Sequence, residues 1–191
     1  LAYDIFEGNK FEGHTMMPII KSFKERYRIE NFIVVADAGL LSNQNIIELE
    51  ENRFEYIIGA RLKNTSQNTK DAILRLKLTN GQSSAIQESA SKRIIVSYST
   101  TRSKKDKFNR NRGIEKLRSQ IKKGKLTKSQ INNRGYNKFL DIKNEIEIQI
   151  NEEKIKQDEK WDGLKGYMTN SKLDSDTIIE NYGYLWQIEK A

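Results

Sequence analysis

The sequence predicts an α/β fold with parallel strands, and two observations support that prediction. Strand and helix patterns alternate over the first 60 residues, which is the order that parallel pairing within one sheet produces. The run FIVVAD at 32–37 is apolar, rich in β-branched residues and flanked by helical patterns, as in a strand buried on both faces. We therefore expect a layer of strands covered by helices.

The early elements follow from local patterns. LAYDIFE at 1–7 alternates as a strand and ends at a Gly-Asn turn. Thr15 is placed to cap a helix that reaches about Arg28. Ser42 is placed to cap a second helix, and FEYIIGA at 54–60 predicts the next strand.

The later elements are less regular. Residues 61–91 are polar, with a short helix predicted around Ile73. The segments that follow predict, in order, a strand at RIIVSYS (93–99), a basic helix at 101–123, a half-exposed strand at EIEIQI (145–150), a weaker strand at GLKGYMT (163–169) and a final helix from Asp174 or Ser175. We divide the chain into a core at 1–60, a basic insertion at 61–155 and a return to the core at 156–191.

The composition excludes several classes of protein. The 191 residues suit one domain or a domain with an insertion, and no apolar run approaches the ~20 residues that a membrane span needs. The lack of Cys and the single His exclude a disulfide scaffold, a Cys-ligated zinc site and a His-rich metal centre. Any metal is therefore expected to have oxygen ligands. Because the chain starts at Leu1 and its helical pattern continues to Ala191, we expect a fragment.

The net charge of +8 is concentrated in one segment. Residues 101–138 contain fourteen basic and two acidic side chains, a net of +12, and the other residues sum to −4. Such a segment typically binds phosphates, because each neutralised phosphate releases condensed counterions. The alternative is a solvated, lysine-rich helix with no ligand.

Two carboxylates are candidates for chemistry. Asp37 ends the β-branched run, where open α/β sheets present their ligands, although an Asp that bonds the following turn or caps the next helix gives the same pattern. Glu189 lies in line with the apolar stripe of the last helix, formed by Ile178, Tyr182 and Leu185. It therefore faces a cleft or lies beyond the packed region. Such a pair suits Mg²⁺ or Mn²⁺, and a two-ion site needs a third carboxylate.

Three segments carry a family resemblance: IVVADAGLLS (33–42), AYDIFEGNKFEGHT (2–15) and ENYGYLWQIEKA (180–191). They resemble the DDE transposases of bacterial insertion sequences, in the class with a Tyr-x2-Arg-x3-Glu-x6-Lys signature. Tyr182 stands seven residues before Glu189, as in that signature, and Leu185 takes the place of the Arg. The basic RSKKDKFNRNRG and the later NNRGYNKFL and KWDGLKGYMTN look like the family's insertion and return, so the resemblance covers the whole chain.

The resemblance implies an RNase H-like mixed sheet flanked by helices, with a large basic α+β insertion between the second Asp and the Glu. Asp37 would be the second aspartate and Glu189 the glutamate of a catalytic, metal-binding triad. The first Asp would lie upstream, because residues 1–7 correspond to the third strand of that core. Two Mg²⁺ or Mn²⁺ ions would help water to cut a transposon-end phosphodiester, and the freed 3′ hydroxyl would attack target DNA.

The resemblance also implies partners. DNA, as transposon ends and target, would contact Tyr182, Arg102, Lys104, Lys105, Lys107, Arg110, Arg112 and Lys190. A homodimer in the synaptic complex, a bacterial cytoplasmic location and no membrane are expected, and a chain without the first Asp is expected to be inactive. The alternatives are an RNase H-like DNA nuclease, a remnant that only binds DNA, and a structural interaction domain with a lysine-rich surface.

Overall fold

A computed structural model describes residues 15–39, 42–144 and 147–185 of the chain. Helices and strands are numbered in chain order, with the bounds α1 Met16–Tyr27, β1 Ile33–Ala36, α2 Asn43–Glu51, β2 Glu55–Ala60, α3 Gln67–Arg75, β3 Ser83–Gln87, β4 Arg93–Tyr98, α4 Thr100–Lys122, β5 Leu140–Lys143, β6 Glu147–Ile150, α5 Glu152–Glu159, β7 Leu164–Thr169 and α6 Ser175–Gly183. The strand predicted at 1–7 lies outside the described residues.

Five strands form a mixed sheet in the order β1-β2-β7-β4-β3. Strands β1 and β2 are parallel, whereas β7 is antiparallel to β2 and β3 is antiparallel to β4. This mixed sheet with flanking helices confirms the predicted α/β class. It is also compatible with the RNase H-like core that the resemblance implies.

Side chains alternate along β1 and β2 and so separate two faces of the sheet. On one face Tyr56 and Ile58 pack with residues of α1 and α2. On the other face Val35 and Ile57 pack with Ile178 of α6. Ile57, Ile58 and Ile178 are fully buried, and burying each such side chain stabilises the fold by roughly 2 kcal/mol. The core of the sheet therefore has two layers, and α6 covers the second.

Helices α1 and α2 begin after Thr15 and Ser42, as the sequence predicts, but the Thr15 side chain makes no capping hydrogen bond. Ser42 Oγ accepts a hydrogen bond from Asn45 N at 3.1 Å and caps α2.

Strand β1 is less buried than expected for a strand covered on both faces. Among its residues only Ala36 is buried and the other three are half-buried, because β1 stands at one end of the described sheet order.

Three elements were not predicted from the sequence: β3, β5 and α5. Strand β3 buries none of its residues, and β5 buries only Leu140. Helix α5 is highly charged and buries only Ile155. Their apolar patterns are therefore too weak to separate them from loops.

The chain forms two compact units. The sheet unit contains the described residues up to Leu78, those of Ser83–Ser97 and those from Lys165 onward. The helical unit contains Thr79–Gln82 and Tyr98–Leu164. Strand β3 and most of β4 belong to the sheet unit, and the division into a core, an insertion at 61–155 and a return to the core stays a prediction. The segment that leaves the sheet unit after β4 returns to it at β7.

The helical unit has a core of its own. Ile114 and Leu117 of α4 pack with Phe139, Leu140 and Ile155, and β5 pairs with β6 as an antiparallel hairpin. Helix α4 is highly polar overall, with buried residues only along one side. Among the described residues, no helix is both long enough and apolar enough to cross a membrane.

Candidate functional site

Asp37 directly follows β1 at the carboxyl end of that strand, and it is exposed. Its Oδ1 accepts a hydrogen bond from Gly39 N at 2.7 Å. The sequence analysis left this bond to the following turn open as an alternative explanation for an Asp at this position. Because an ionised carboxylate offers about four acceptor positions on two oxygens, a bond to the turn orients Asp37 and is compatible with a further ligand.

A row of residues crosses three strands at the level of Asp37. The parallel register of β1 and β2, extended by one residue, sets Asp37 beside Gly59. Gly59 in turn lies opposite Tyr167 of β7. Neighbouring strands are about 4.8 Å apart, so Asp37 and Tyr167 are separated by about 10 Å across the sheet. Period-two alternation puts Asp37 on the face of Val35, which is the face covered by α6.

Helix α6 is fixed at its amino end and along one side. Asp174 Oδ1 accepts a hydrogen bond from Thr177 N at 2.9 Å, and Oδ2 accepts one from Thr177 Oγ1 at 2.7 Å. The side-chain hydrogen bond from Thr177 holds the pKa of Asp174 below its ordinary value, so the cap is ionised at neutral pH. Ile178 is fully buried, which sets the rotation of α6 and directs Tyr182, one turn later, toward the sheet.

The hydroxyl of Tyr182 lies against Gly59. A Cβ built on Gly59 would be 2.5 Å from Tyr182 Oη and 3.1 Å from Ala38 N. Because Gly59 has no side chain, the hydroxyl reaches the backbone that adjoins Asp37. The predicted residues Asp37 and Tyr182 therefore lie at the same edge and on the same face of the sheet.

Lys165 and Tyr167 extend this group along β7. The rings of Tyr167 and Tyr182 meet edge to face with their centroids 4.9 Å apart. Lys165 Nζ lies 4.4 Å from the Tyr182 centroid and 5.1 Å from the Tyr167 centroid, within cation–π range. Because β7 is antiparallel to β2, its amino end lies at the same sheet edge as Asp37. We call Asp37, Gly59, Lys165, Tyr167 and Tyr182 the edge cluster.

The remaining predicted residues of the carboxylate site are not part of the described structure. Glu189 and Lys190 lie outside the described residues. Across residues 15–39, 42–144 and 147–185, no group of three or more His, Asp or Glu side chains could hold a metal ion. Asp37 is thus the one predicted metal ligand whose position the structure describes.

The exposed face of α4 carries most of the cations that the sequence predicts to meet DNA. Arg102, Lys104, Lys105, Lys107 and Arg112 are all exposed. Arg102 Nε lies 3.7 Å from Asp106 Oδ2, whereas the other four make no ion pair with any described residue. Phe108, on the same side of the helix, is 64% exposed. This face therefore presents unneutralised positive charge to solvent.

Arg110 differs from the prediction that it contacts DNA. It is only 3% exposed, and its Nη1 and Nη2 donate to the two carboxylate oxygens of Asp162 at 2.5 and 2.7 Å. The hydrogen bond with Asp162 raises the pKa of Arg110 further above its ordinary value. Asp158 and Glu159 lie 3.9 and 3.4 Å from the same guanidinium. Arg110 is therefore an internal ion-pair partner of the helical unit, and it is not available to DNA.

Sequence reasoning missed Gly59, Lys165 and Tyr167. The alternation of Lys165 and Tyr167 in the weak strand at 163–169 was visible, and it indicated that the two side chains share a face. Their proximity to Asp37 depends on the pairing of β7 with β2, which joins residues more than 100 positions apart. No local pattern in the sequence reports such a pairing.

The chain matches the protein family described as Transposase DDE domain over residues 1–191. The match includes the strand that precedes Asp37 and the helix that carries Tyr182. No curated protein and no solved structure matches the chain significantly. The family match agrees with the resemblance drawn from the sequence segments.

Proposed function

We propose a function for the edge cluster on the premise that the chain belongs to the transposase DDE domain family, which the match over residues 1–191 shows. Proteins of this family bind DNA, act in transposition as transposase-type nucleases and use divalent metal ions. We propose that the active site lies at the sheet edge that carries Asp37. One observation supports this choice most directly: Asp37 and the Tyr182 hydroxyl lie at the same edge and on the same face of the sheet.

The donor set at this edge suits Mg²⁺ or Mn²⁺. Asp37 offers an exposed carboxylate whose orientation is fixed by Gly39 N, and both ions prefer oxygen ligands. We propose that Asp37 and Glu189, together with a third carboxylate, hold two such ions. When bound, the ions supply activation of the attacking oxygen and stabilisation of the leaving oxygen at phosphorus.

The residues of the edge cluster have separate tasks in the proposed reaction. Asp37 is held in one orientation by the turn. We propose that the Tyr182 hydroxyl donates a hydrogen bond to a non-bridging phosphate oxygen. Water attacks phosphorus at the transposon end, the bond from phosphorus to O3′ breaks, and O3′ takes up a proton. The freed 3′ hydroxyl then attacks a phosphodiester of target DNA in the same kind of displacement.

The exposed face of α4 is proposed to hold the DNA backbone. The helix has 23 residues and is about 35 Å long, which is close to one turn of duplex DNA. Lys104, Lys105, Lys107 and Arg112 present cations along it, and Arg102 adds one that Asp106 partly neutralises. We propose Lys190 as a further contact and a homodimer as the state that holds two transposon ends.

We propose a second function, DNA binding without cleavage, on the exposed cations of α4, which bind phosphates whether or not a metal site is complete. If the third carboxylate is not supplied by these 191 residues, the isolated chain binds DNA but does not cut it. We expect this behaviour of the isolated chain, and cleavage only from a protein that contains the complete triad.

The experiment that tests the proposal uses the full-length protein and the DNA that flanks its own reading frame. We expect Mg²⁺-dependent nicking at the element ends, followed by joining of the 3′ ends to a target plasmid. Asp37→Asn and Glu189→Gln should remove both steps, and Lys21→Met on α1 serves as a control that should keep both. Nicking without joining would indicate a nuclease, and unchanged activity in Asp37→Asn would contradict the proposed site.

A further inference from the structure

We propose that Lys165 binds a DNA backbone phosphate at the sheet edge beside Asp37. The inference rests on the proposed function, because it assumes that this edge receives DNA. Lys165 is not in the basic segment at 101–138, so charge density along the sequence did not identify it. Its position in the folded chain is what connects it with the candidate site.

The first argument is the placement of the ammonium. Lys165 is half-buried, and its Nζ lies close to the rings of both Tyr167 and Tyr182. The Tyr182 ring carries the hydroxyl that reaches Gly59, in the row of residues that contains Asp37. A single ligand at this edge is therefore within the reach of both a hydroxyl and an ammonium.

The second argument is preorganisation. A lysine side chain normally loses much of its rotamer freedom when it binds a ligand, and this loss weakens binding. Two ring faces already restrict the side chain of Lys165. An ammonium has three N–H donors, so its attraction to the rings is compatible with donation to phosphate oxygens.

The third argument is charge balance at the edge. The carboxylate of Asp37 repels a phosphate, and a cation on the same edge reduces that repulsion. Lys165 supplies such a cation from the amino end of β7, next to the carboxyl ends of β1 and β2. The alternative role of Lys165 is structural: it supports the Tyr182 ring and does not contact DNA.

Lysine footprinting of the 191-residue chain distinguishes phosphate binding by Lys165 from a purely structural role. The chain is treated with N-hydroxysuccinimide acetate, with and without a 30-base-pair duplex of mixed sequence, and each lysine is quantified by mass spectrometry. We expect DNA to protect Lys165 together with Lys104, Lys105 and Lys107 of α4. Lys21 lies on α1, which packs on the opposite face of the sheet, and it should stay reactive.

Two other footprinting outcomes have distinct meanings. Protection of the α4 lysines without protection of Lys165 would overturn this inference and leave the proposed DNA interface intact. No protection of any lysine would contradict the proposed interface itself, and this inference with it.

The salt dependence of DNA binding provides an independent measurement. Lys165→Met should reduce the slope of log K against log salt by about 0.9, the loss of one phosphate contact. Lys165→Arg should keep the slope, and so should the control Lys21→Met. An unchanged slope in Lys165→Met would overturn the inference, whatever its effect on the melting temperature.

Discussion

Tyr182 Oη occupies the space that a side chain on Gly59 would need. A Cβ on Gly59 would lie 2.5 Å from that oxygen and 3.1 Å from Ala38 N, distances at which one of the groups must move. Ala38 N belongs to the backbone, so the phenol is the group that can yield. The position of the Tyr182 hydroxyl, near the backbone that follows Asp37, therefore depends on a residue without a side chain.

Replacing Gly59 with alanine tests this relationship. We expect Gly59→Ala to push the Tyr182 hydroxyl away from the sheet edge and to lower DNA cleavage by the full-length protein by about 100-fold, as displacements of about 1 Å can do. The cleavage rate and the melting temperature are the measurements. The contact between the new Cβ and Tyr182 Oη should also lower the melting temperature of Gly59→Ala. The double variant Gly59→Ala/Tyr182→Phe lacks that contact, so its melting temperature should return toward the wild-type value while its cleavage rate stays low. Normal cleavage in Gly59→Ala would contradict the proposed role of Tyr182.

Two substitutions at Asp37 separate chemistry from stability. Asp37→Asn keeps an oxygen that can accept from Gly39 N, so the melting temperature should be unchanged. It replaces one oxygen of the proposed metal ligand with an amide nitrogen, so cleavage by the full-length protein should fall by at least about 100-fold. Asp37→Ala loses the bond as well, which costs up to about 1 kcal/mol in the free energy of unfolding. Equal cleavage by wild type and Asp37→Asn would exclude Asp37 as a ligand.

The position of Asp37 was predictable from the sequence, and the contacts of the edge cluster were not. A continuous β-branched run predicts a strand, and the strand's end places Asp37 at a sheet edge. The contact of Lys165 with Tyr182 depends on strand pairing and helix packing, which are set by tertiary structure. Local propensity contains no information about which distant strand becomes the neighbour of β2.

The burial of Arg110 could have been predicted from the helical periodicity of the sequence. Arg110, Ile114 and Leu117 are spaced by four and three, so they lie on one side of a helix. The net charge of the segment favoured the interpretation that Arg110 contacts DNA, as its neighbours Lys107 and Arg112 are predicted to do. Helical periodicity distinguishes the buried arginine from the exposed ones, and net charge does not.

The exposed cations of α4 should determine the salt dependence of DNA binding. We expect Lys104→Gln/Lys105→Gln/Lys107→Gln/Arg112→Gln to lower the slope of log K against log salt by up to about 4 in a fluorescence anisotropy titration. A variant matched in charge removes four exposed cations from the α1 segment: Lys21, Lys24, Arg26 and Arg28. If both variants lower the slope equally, binding is governed by net charge and not by α4.

Asp174 should make the stability of α6 depend on pH. Its pKa is below the ordinary value of 3.8 because Thr177 donates side-chain and backbone hydrogen bonds to the carboxylate. A lowered pKa in the folded state means that the stabilising contribution is complete above about pH 4 and is lost as the pH falls through the folded pKa. We therefore expect the melting temperature to exceed that of Asp174→Asn at neutral pH, and the difference to shrink as the pH falls below 3.8, the ordinary value of the Asp pKa. A difference that does not vary with pH would contradict the ionised cap.

Arg110 and Arg112 lie two positions apart on α4 and should respond in opposite ways to substitution. Arg110→Ala removes a buried guanidinium and leaves the half-buried carboxylate of Asp162 without its partner, so the free energy of unfolding of the helical unit should fall by about 3 to 5 kcal/mol. Arg112→Ala changes an exposed residue, so stability should stay within about 0.5 kcal/mol while DNA binding weakens. Urea titration and anisotropy at a temperature where both variants are folded provide the two measurements. If Arg110→Ala instead leaves stability unchanged and weakens DNA binding as much as Arg112→Ala does, Arg110 contacts DNA and its pairing with Asp162 is dispensable.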